Sequence, residues 1–302
     1  MTPDAEPNRA ILRDGDSILF IDRKQRQYLR TIRTGKKVNV RGAAFAADDL
    51  IGMVEGTIVR SSTGEYLQIF RPTYAQLIPN LPRQAQVIYP KDIGTILMWG
   101  DIHPGAHVIE VGVGPGATSM AMLRMIGPTG TLTTYELREE FATMARGNVA
   151  RFHGEAPNWT IKIRDAYEGF DETGIDRMMV DLSEPWRVVP HAARALRPGG
   201  VFVGFTPTVL QLKQLVDELR ATSFAQVEVL ESLQRGWHVK DRSVRPEHRM
   251  VAHSGFLVIA RRLALESAPA SAPASSIDEA PVDEPPDDES PDDASDPPSD
   301  DA

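Results

Sequence analysis

The chain has no cysteine among its 302 residues. That excludes disulfides, thiolate metal sites and any mechanism built on a cysteine nucleophile. It also lacks an apolar run approaching the roughly 18 residues that cross a bilayer. Its first eight residues are polar and acidic, unlike a secretory leader, so a cytoplasmic protein away from membranes is expected. The Asn158-Trp159-Thr160 sequon then carries no weight. There is no internal repeat, and no basic residue follows Arg262. Residues 264–302 instead hold 13 Asp and Glu among Ala, Pro and Ser, and they account for the net charge of −9. Without them, 29 acidic residues face 33 basic ones, a balance of about +4. A segment with so little large apolar surface cannot offset its ordering entropy, so a disordered acidic tail is expected there. The mildly basic remainder suits a polyanionic partner.

What the chain does have is concentrated between residues 108 and 136. An apolar strand, Val108-Ile-Glu-Val111, runs into Gly112-Val113-Gly114-Pro115-Gly116-Ala117. A second, Thr131-Leu-Thr-Thr-Tyr135, ends at the carboxylate of Glu136. Glycines let backbone N–H groups approach a ligand, and the start of the following helix adds positive potential. A carboxylate about 20 residues on, at the tip of the next strand, suits the two hydroxyls of a ribose. The pattern reads as a nucleoside-cofactor site. Gly112-x-Gly114-x-x-Ala117 satisfies a nicotinamide fingerprint, whereas Gly116 together with the preceding acid Glu110 fits S-adenosylmethionine better; the loop alone leaves both open. Pro115 removes one N–H donor from it.

Residues 9–75 alternate β-like runs, at 17–22, 27–32, 57–60 and 66–70, with turn residues such as those at 61–64. This predicts a small β-barrel or sandwich over 1–75. Prolines at 79, 82 and 90 mark 76–90 as a connector. Over 91–263, strands near 107–112, 131–136, 159–164, 176–182, 201–206, 226–234 and 254–261 alternate with helices. The helices are expected near 91–100, 117–126, 138–152, 187–196 and 208–221. The first five strands with their crossovers predict a mostly parallel, doubly wound, Rossmann-like α/β sheet. A basic, turn-rich loop joins the last two, which are expected as an antiparallel hairpin. That ending is the class I methyltransferase arrangement and not the usual dehydrogenase one.

In such a sheet the ligand lies beyond the C-terminal ends of the parallel strands. Asp165 closes the third strand, where it would accept a hydrogen bond from an adenine amine. Asp181 closes the fourth, where the reacting centre usually sits, and Glu184 follows it. A lone strand-end Asp is often a cap or turn residue. Three acids after successive strands beside a glycine loop favour a site.

Several segments carry a family resemblance: Gln86-Val-Ile-Tyr-Pro-Lys-Asp92, Glu110-Val-Gly-Val-Gly-Pro-Gly116, Tyr135-Glu136, Asp181-Leu-Ser-Glu-Pro-Trp186, Arg245-Pro-Glu-His248 and His253-Ser-Gly-Phe256. Over about residues 13–262 the chain resembles the tRNA adenine-58 N1-methyltransferases of bacteria and archaea. The resemblance implies a homotetramer that methylates adenosine N1 in the tRNA T-loop from S-adenosylmethionine. It assigns the cofactor to Glu110, Gly112, Val113, Gly114, Pro115, Gly116, Ala117, Glu136, Asp165 and Asp181. The chemistry falls to Asp181, with Tyr89 positioning the base. Pro115, Ala47 and Ala252 depart from the family's usual residues, and none of these removes a carboxylate.

Adenine N1 carries an in-plane lone pair and needs no deprotonation to attack a methyl group, while its product is cationic. A carboxylate such as Asp181 would meet that charge. N1 lies on the pairing edge, so the nucleotide must be extruded into the pocket. The segment 235–249 is basic around Trp237, which suits either tRNA phosphates or a subunit interface. His238, His248 and His253 lack metal-ligand spacing, so no metal is expected. Three other readings stand beside the leading one: a methyltransferase for a small molecule or protein, a non-catalytic tRNA-binding subunit and a nicotinamide oxidoreductase. The intact glycine loop and Asp181, the β-rich N-terminal segment and the terminal hairpin weigh against them.

Overall fold

The computed structural model describes residues 10–83 and 86–264; the expected acidic tail lies outside them, save for Ala264. Along the β-rich segment come β1 (Ser17–Ile21), β2 (Gln27–Thr31), β3 (Lys37–Val40), β4 (Ala43–Ala46), α1 (Ala47–Leu50), β5 (Ile58–Arg60), β6 (Tyr66–Phe70) and α2 (Tyr74–Leu77). Four of these strands form an antiparallel sheet in the order β2-β1-β6-β5. Their alternating side chains, Leu67 and Ile69 among them, meet Ile18 and Phe20 in one buried cluster. The hairpin of β3 and β4 was missed by the sequence reading. Its signal is Val38 and Val40 alternating with polar residues, followed by Arg41-Gly42. Both turn residues have positive φ, 51° and 82°, as a tight hairpin turn requires.

The second part runs α3 (Pro90–Trp99), β7 (His107–Val111), α4 (Ala117–Ile126), β8 (Thr131–Glu136), α5 (Glu139–Phe152), β9 (Trp159–Ile163), β10 (Ile175–Val180), α6 (Val189–Ala195), β11 (Leu196–Thr206), α7 (Val209–Ala221), β12 (Phe224–Leu230), β13 (Trp237–Lys240), β14 (Ser243–Pro246) and β15 (Phe256–Arg262). Seven strands form one sheet in the order β12-β15-β11-β10-β7-β8-β9. The four pairings among the five strands from β11 to β9 are all parallel, and β15 runs antiparallel to both β11 and β12. Parallel strands covered on both faces need apolar side chains on both. Accordingly Val108 points into the cluster under α4, and Ile109 and Val111 into the cluster on the opposite face.

Two details differ from the sequence expectation. The terminal strands are antiparallel neighbours, but the connection between them is no plain loop, since it folds into the separate β13–β14 ribbon. The helix expected at 187–196 starts as a tight 3-10 turn over Pro185–Val188 and becomes α-helical only at Val189. Prolines at 185 and 190 have no N–H to give and so belong at such a start. Among the described residues, no helix is long and apolar enough to cross a membrane.

One polar network pins the ends of this sheet to α3. Lys91 and Asp92 form an ion pair of 2.8 Å whose side chains are 6% and 1% exposed. The Lys91 ammonium also donates to the Ser232 carbonyl at 2.7 Å and to the Ser254 hydroxyl, which in turn donates to Asp92 at 2.6 Å. Ser232 follows β12 and Ser254 precedes β15, so the pair clamps both roots of the β13–β14 excursion. Removing one partner from such a pair leaves a buried charge unmatched, typically at about 3–5 kcal/mol. Nearby, His253 contacts Glu231 Oε1 at 2.8 Å and the Pro207 carbonyl at 2.9 Å through its two ring nitrogens. Both partners are acceptors, so both nitrogens donate. The Pro207 carbonyl first, and then Glu231, push the ring's pKa up. The role of His253 is that of a strut.

Candidate functional site

β7 delivers the chain into a loop in which Gly112, Gly114 and Gly116 all have positive φ, 86°, 49° and 82°. Each glycine is needed for a different reason. A Cβ at Gly112 would lie 2.4 Å from the Asp181 carbonyl oxygen, so this glycine lets the loop pass against the end of β10. At Gly116, the left-handed residue preceding α4, a Cβ would press on Ala145 of α5 at 3.2 Å. A Cβ at Gly114 would meet nothing within 4 Å. Its open side faces a cavity of about 310 Å³ that Gly112 and Gly114 line together with Glu136, Asp165 and Asp181. The cavity lies where β7 has β8 on one side and β10 on the other, the topological switch point of an open sheet.

The carboxylates are held differently. Glu136 ends β8, accepting the Val113 N–H at 3.2 Å on one oxygen and the Arg138 N–H at 3.0 Å on the other. The first bond holds it against the glycine loop and the second against the chain leaving β8, while its edge meets the cavity. Asp165 is the cap of the 3-10 turn Ala166–Glu168, accepting the Tyr167 N–H at 2.9 Å on Oδ1. Its Oδ2 takes no hydrogen bond among the described residues, so capping and facing a ligand are compatible. Asp181 follows β10 and is exposed to the cavity that it helps to line. Desolvation, aided by the Glu136 charge, pushes its pKa up to about 6.

Glu110 is the residue that the strand's own period takes away from the cavity. It shares the face of Val108, beneath α4, and is 1% exposed. Its Oε2 accepts from Ser119 of α4 at 2.6 Å and from Thr134 of β8 at 2.7 Å, whereas Oε1 is buried with no partner. Burial outweighs these two donors and pushes its pKa up to about 8. Val113 is buried, Pro115 gives its carbonyl to Asn148 at 2.8 Å, and the Ala117 carbonyl accepts from Tyr74. These residues shape the loop from behind and do not line the cavity. Tyr89 precedes α3, half-buried and also outside the lining.

The sequence reading missed other lining residues. Gln86 brings the connector to the cavity, which Leu137, Arg138, Arg164, Tyr167, Leu182 and Ser183 also line. Gln86 stands in the quoted Gln-Val-Ile-Tyr-Pro segment, so the signal was there but was assigned to Tyr89. Tyr135 is anchored from below, donating its hydroxyl to Glu172 at 2.6 Å while accepting the Asp171 N–H at 2.9 Å. Among the described residues, no cluster of three or more His, Asp or Glu could hold a metal ion.

The buried Glu110 generates a pH prediction. With a folded pKa near 8 against an unfolded value near 4.5, the folded state keeps a proton that the unfolded chain has lost. The neutral acid's contribution is therefore complete below about pH 4.5 and is lost as pH rises toward 8. Glu110→Gln copies the neutral form, so it should stabilise the ligand-free protein at pH 8.5 by on the order of a few kcal/mol and change little at pH 5. Denaturant titrations at both pH values measure this. An equal effect at the two would mean that Glu110 is ionised in the fold.

Two family profiles match the chain: one described as TrmI-like N-terminal over residues 11–59, and one as tRNA methyltransferase complex GCD14 subunit over residues 65–254. The tRNA (adenine(58)-N(1))-methyltransferase TrmI of Thermus thermophilus is 32% identical over 81% of this chain and 96% of its own length. The tRNA (adenine(57)-N(1)/adenine(58)-N(1))-methyltransferase TrmI of Methanocaldococcus jannaschii is 30% identical, covering 80% and 94%. Among solved structures, a SAM-dependent O-methyltransferase from Thermotoga maritima superposes with a TM-score of 0.81 at 32% identity, covering 85% of this chain and 97% of that one. The tRNA (m1A58) methyltransferase TrmI from Aquifex aeolicus superposes with a TM-score of 0.75 at 27% identity, covering 84% and 99%. With the class I sheet, the glycine loop and a profile match over most of its length, the chain belongs to the tRNA (adenine-58-N1)-methyltransferase family.

Proposed function

We propose that the protein transfers a methyl group from S-adenosylmethionine to N1 of adenosine 58 in the T-loop of tRNA. The observation that carries this is the convergence of Glu136, Asp165 and Asp181 on one cavity beside Gly114. The residues fit the cofactor: Glu136 for the two ribose hydroxyls, Asp165 Oδ2 for the adenine amine, and open space at Gly114 for close approach to its backbone. When bound, the cofactor supplies a methyl group on a cationic sulfur.

The chain's own contribution is placement and charge. Asp181 accepts the N6–H of the target adenine, which selects against bases that carry oxygen there. It also meets the positive charge that grows on the ring as N1 attacks. The Asp181 pKa of about 6 means that the carboxylate is charged at neutral pH and is lost as acid is added. Tyr89, beside the Gln86 segment that reaches the cavity, is the aromatic proposed to hold the extruded base. Methylation of a hydroxyl oxygen would call for removal of its proton; adenine N1 asks for no base.

Asp181→Ala should lower kcat on the order of 10²–10³-fold with little change in cofactor affinity by calorimetry, as expected for a group that meets charge in the transition state. Turnover close to that of the unsubstituted protein would reduce Asp181 to a strand-end residue.

We further propose a homotetramer acting in the cytoplasm. Support comes from the β13–β14 ribbon, which leaves Trp237, Val239 and Val244 60%, 71% and 61% exposed on a strand pair that no third strand joins among the described residues. Light scattering should give four times the chain mass, and Trp237→Glu with Val239→Glu should reduce it. A monomeric unsubstituted protein would contradict this assembly.

A further inference from the structure

Three hairpin tips of the N-terminal sheet region converge on a second cavity of about 400 Å³ that the chemistry above does not use. The β1–β2 tip brings Arg23, Lys24 and Arg26, the β3–β4 tip brings Arg41, and the β5–β6 tip brings Gly64 and Glu65. Arg60, at the end of β5, lies beside Tyr66, which lines the cavity. Five cations thus gather against two carboxylates, Asp22 and Glu65. The positive charges that these carboxylates leave uncompensated repel one another across the concave surface and attract an anion.

The cations are also held in order. Asp22, its side chain 7% exposed, accepts the Lys24 N–H at 2.9 Å, the Arg26 N–H at 3.0 Å and the Arg26 guanidinium at 2.8 Å, and it pairs with Arg41 at 3.3 Å. One carboxylate therefore fixes the first tip and ties it to the second. Burial alone would push its pKa up, but these donors outweigh that and hold it at about 2, so the arrangement persists at any working pH. Arg23 and Arg60 both lie against the ring of the exposed Tyr66, 5.3 and 5.9 Å from its centre. Neither they nor Lys24 forms an ion pair among the described residues. A guanidinium ordered in advance loses less freedom on taking up a phosphate.

We infer that this hairpin-tip cavity is a phosphate grip for the tRNA backbone, engaging nucleotides away from the adenosine that is methylated. The inference rests on the tRNA reading of the catalytic cavity. Phosphate contacts set the register of a nucleic acid on a protein without reading its sequence. The grip should therefore act on the affinity for tRNA and not on the methyl-transfer step.

The test uses the full chain carrying Arg23→Glu and Lys24→Glu. Steady-state methylation of unmodified tRNA at about 0.1 M salt should show KM raised about tenfold, with kcat within about twofold. Cofactor affinity by calorimetry should be unchanged. The slope of log KM against log salt should fall by about two, one for each lost phosphate contact. Filter binding of tRNA should weaken in parallel. If the Glu pair disturbs folding, Arg23→Gln with Lys24→Gln must still flatten the salt slope by about two. KM and salt slope equal to those of the unsubstituted protein would overturn the grip. So would an unchanged tRNA affinity alongside lost binding of polyglutamate, which would assign the cavity to an acidic protein partner. Should the unsubstituted protein fail to methylate tRNA, the function reading fails, and filter binding still decides the grip.

Discussion

The Glu136 carboxylate is the contact on which the site's geometry depends. It receives the Val113 N–H from the glycine loop and the Arg138 N–H from the chain leaving β8, so one side chain sets the gap between two strand ends. On its other side the loop passes close to the end of β10, because Gly112 has no Cβ to strike the Asp181 carbonyl. Three carboxylates then share a small space, and the protein manages their repulsion by unequal environments. Glu110 is buried under α4 with its pKa pushed up to about 8, while Asp181 keeps access to water and sits at about 6. The result at neutral pH is a neutral prop beneath the loop and an ionised group in the cavity.

Much of this was legible in the sequence, because the period and the glycines encode it directly. The parallel strands show as apolar runs broken by helical segments, and each of the three carboxylates placed at a strand end does follow a strand. Glu110 shows where pattern reading stops short. The motif suggests a ligand contact, yet strand alternation places it with Val108, and only the third dimension shows Ser119 and Thr134 waiting there. Strict counting along β7 would have found the face but not the partners.

The connections were harder to read. The β13–β14 ribbon has only four residues per strand, with Lys240, Arg245 and Pro246 among them, so its alternation is short and its composition resembles a loop. The buried Lys91–Asp92 pair that clamps its roots is invisible to propensity, since the groups that satisfy it come from Ser232 and Ser254, more than 130 residues away. The convergence of cations from three hairpin tips is equally non-local. In the sequence they are scattered basic residues; in the fold, one buried aspartate holds the first tip and ties it to Arg41 of the second.

The central claim is that these parts serve transfer of a methyl group to one atom of one tRNA nucleoside. The direct measurement is to incubate the purified protein with unmodified tRNA and isotopically labelled S-adenosylmethionine, then map the label by nuclease digestion and nucleoside mass spectrometry. The account predicts labelled 1-methyladenosine confined to the T-loop, at position 58. Label on a ribose oxygen or on the exocyclic amine, or no label in tRNA while a small-molecule hydroxyl becomes methylated, would contradict it.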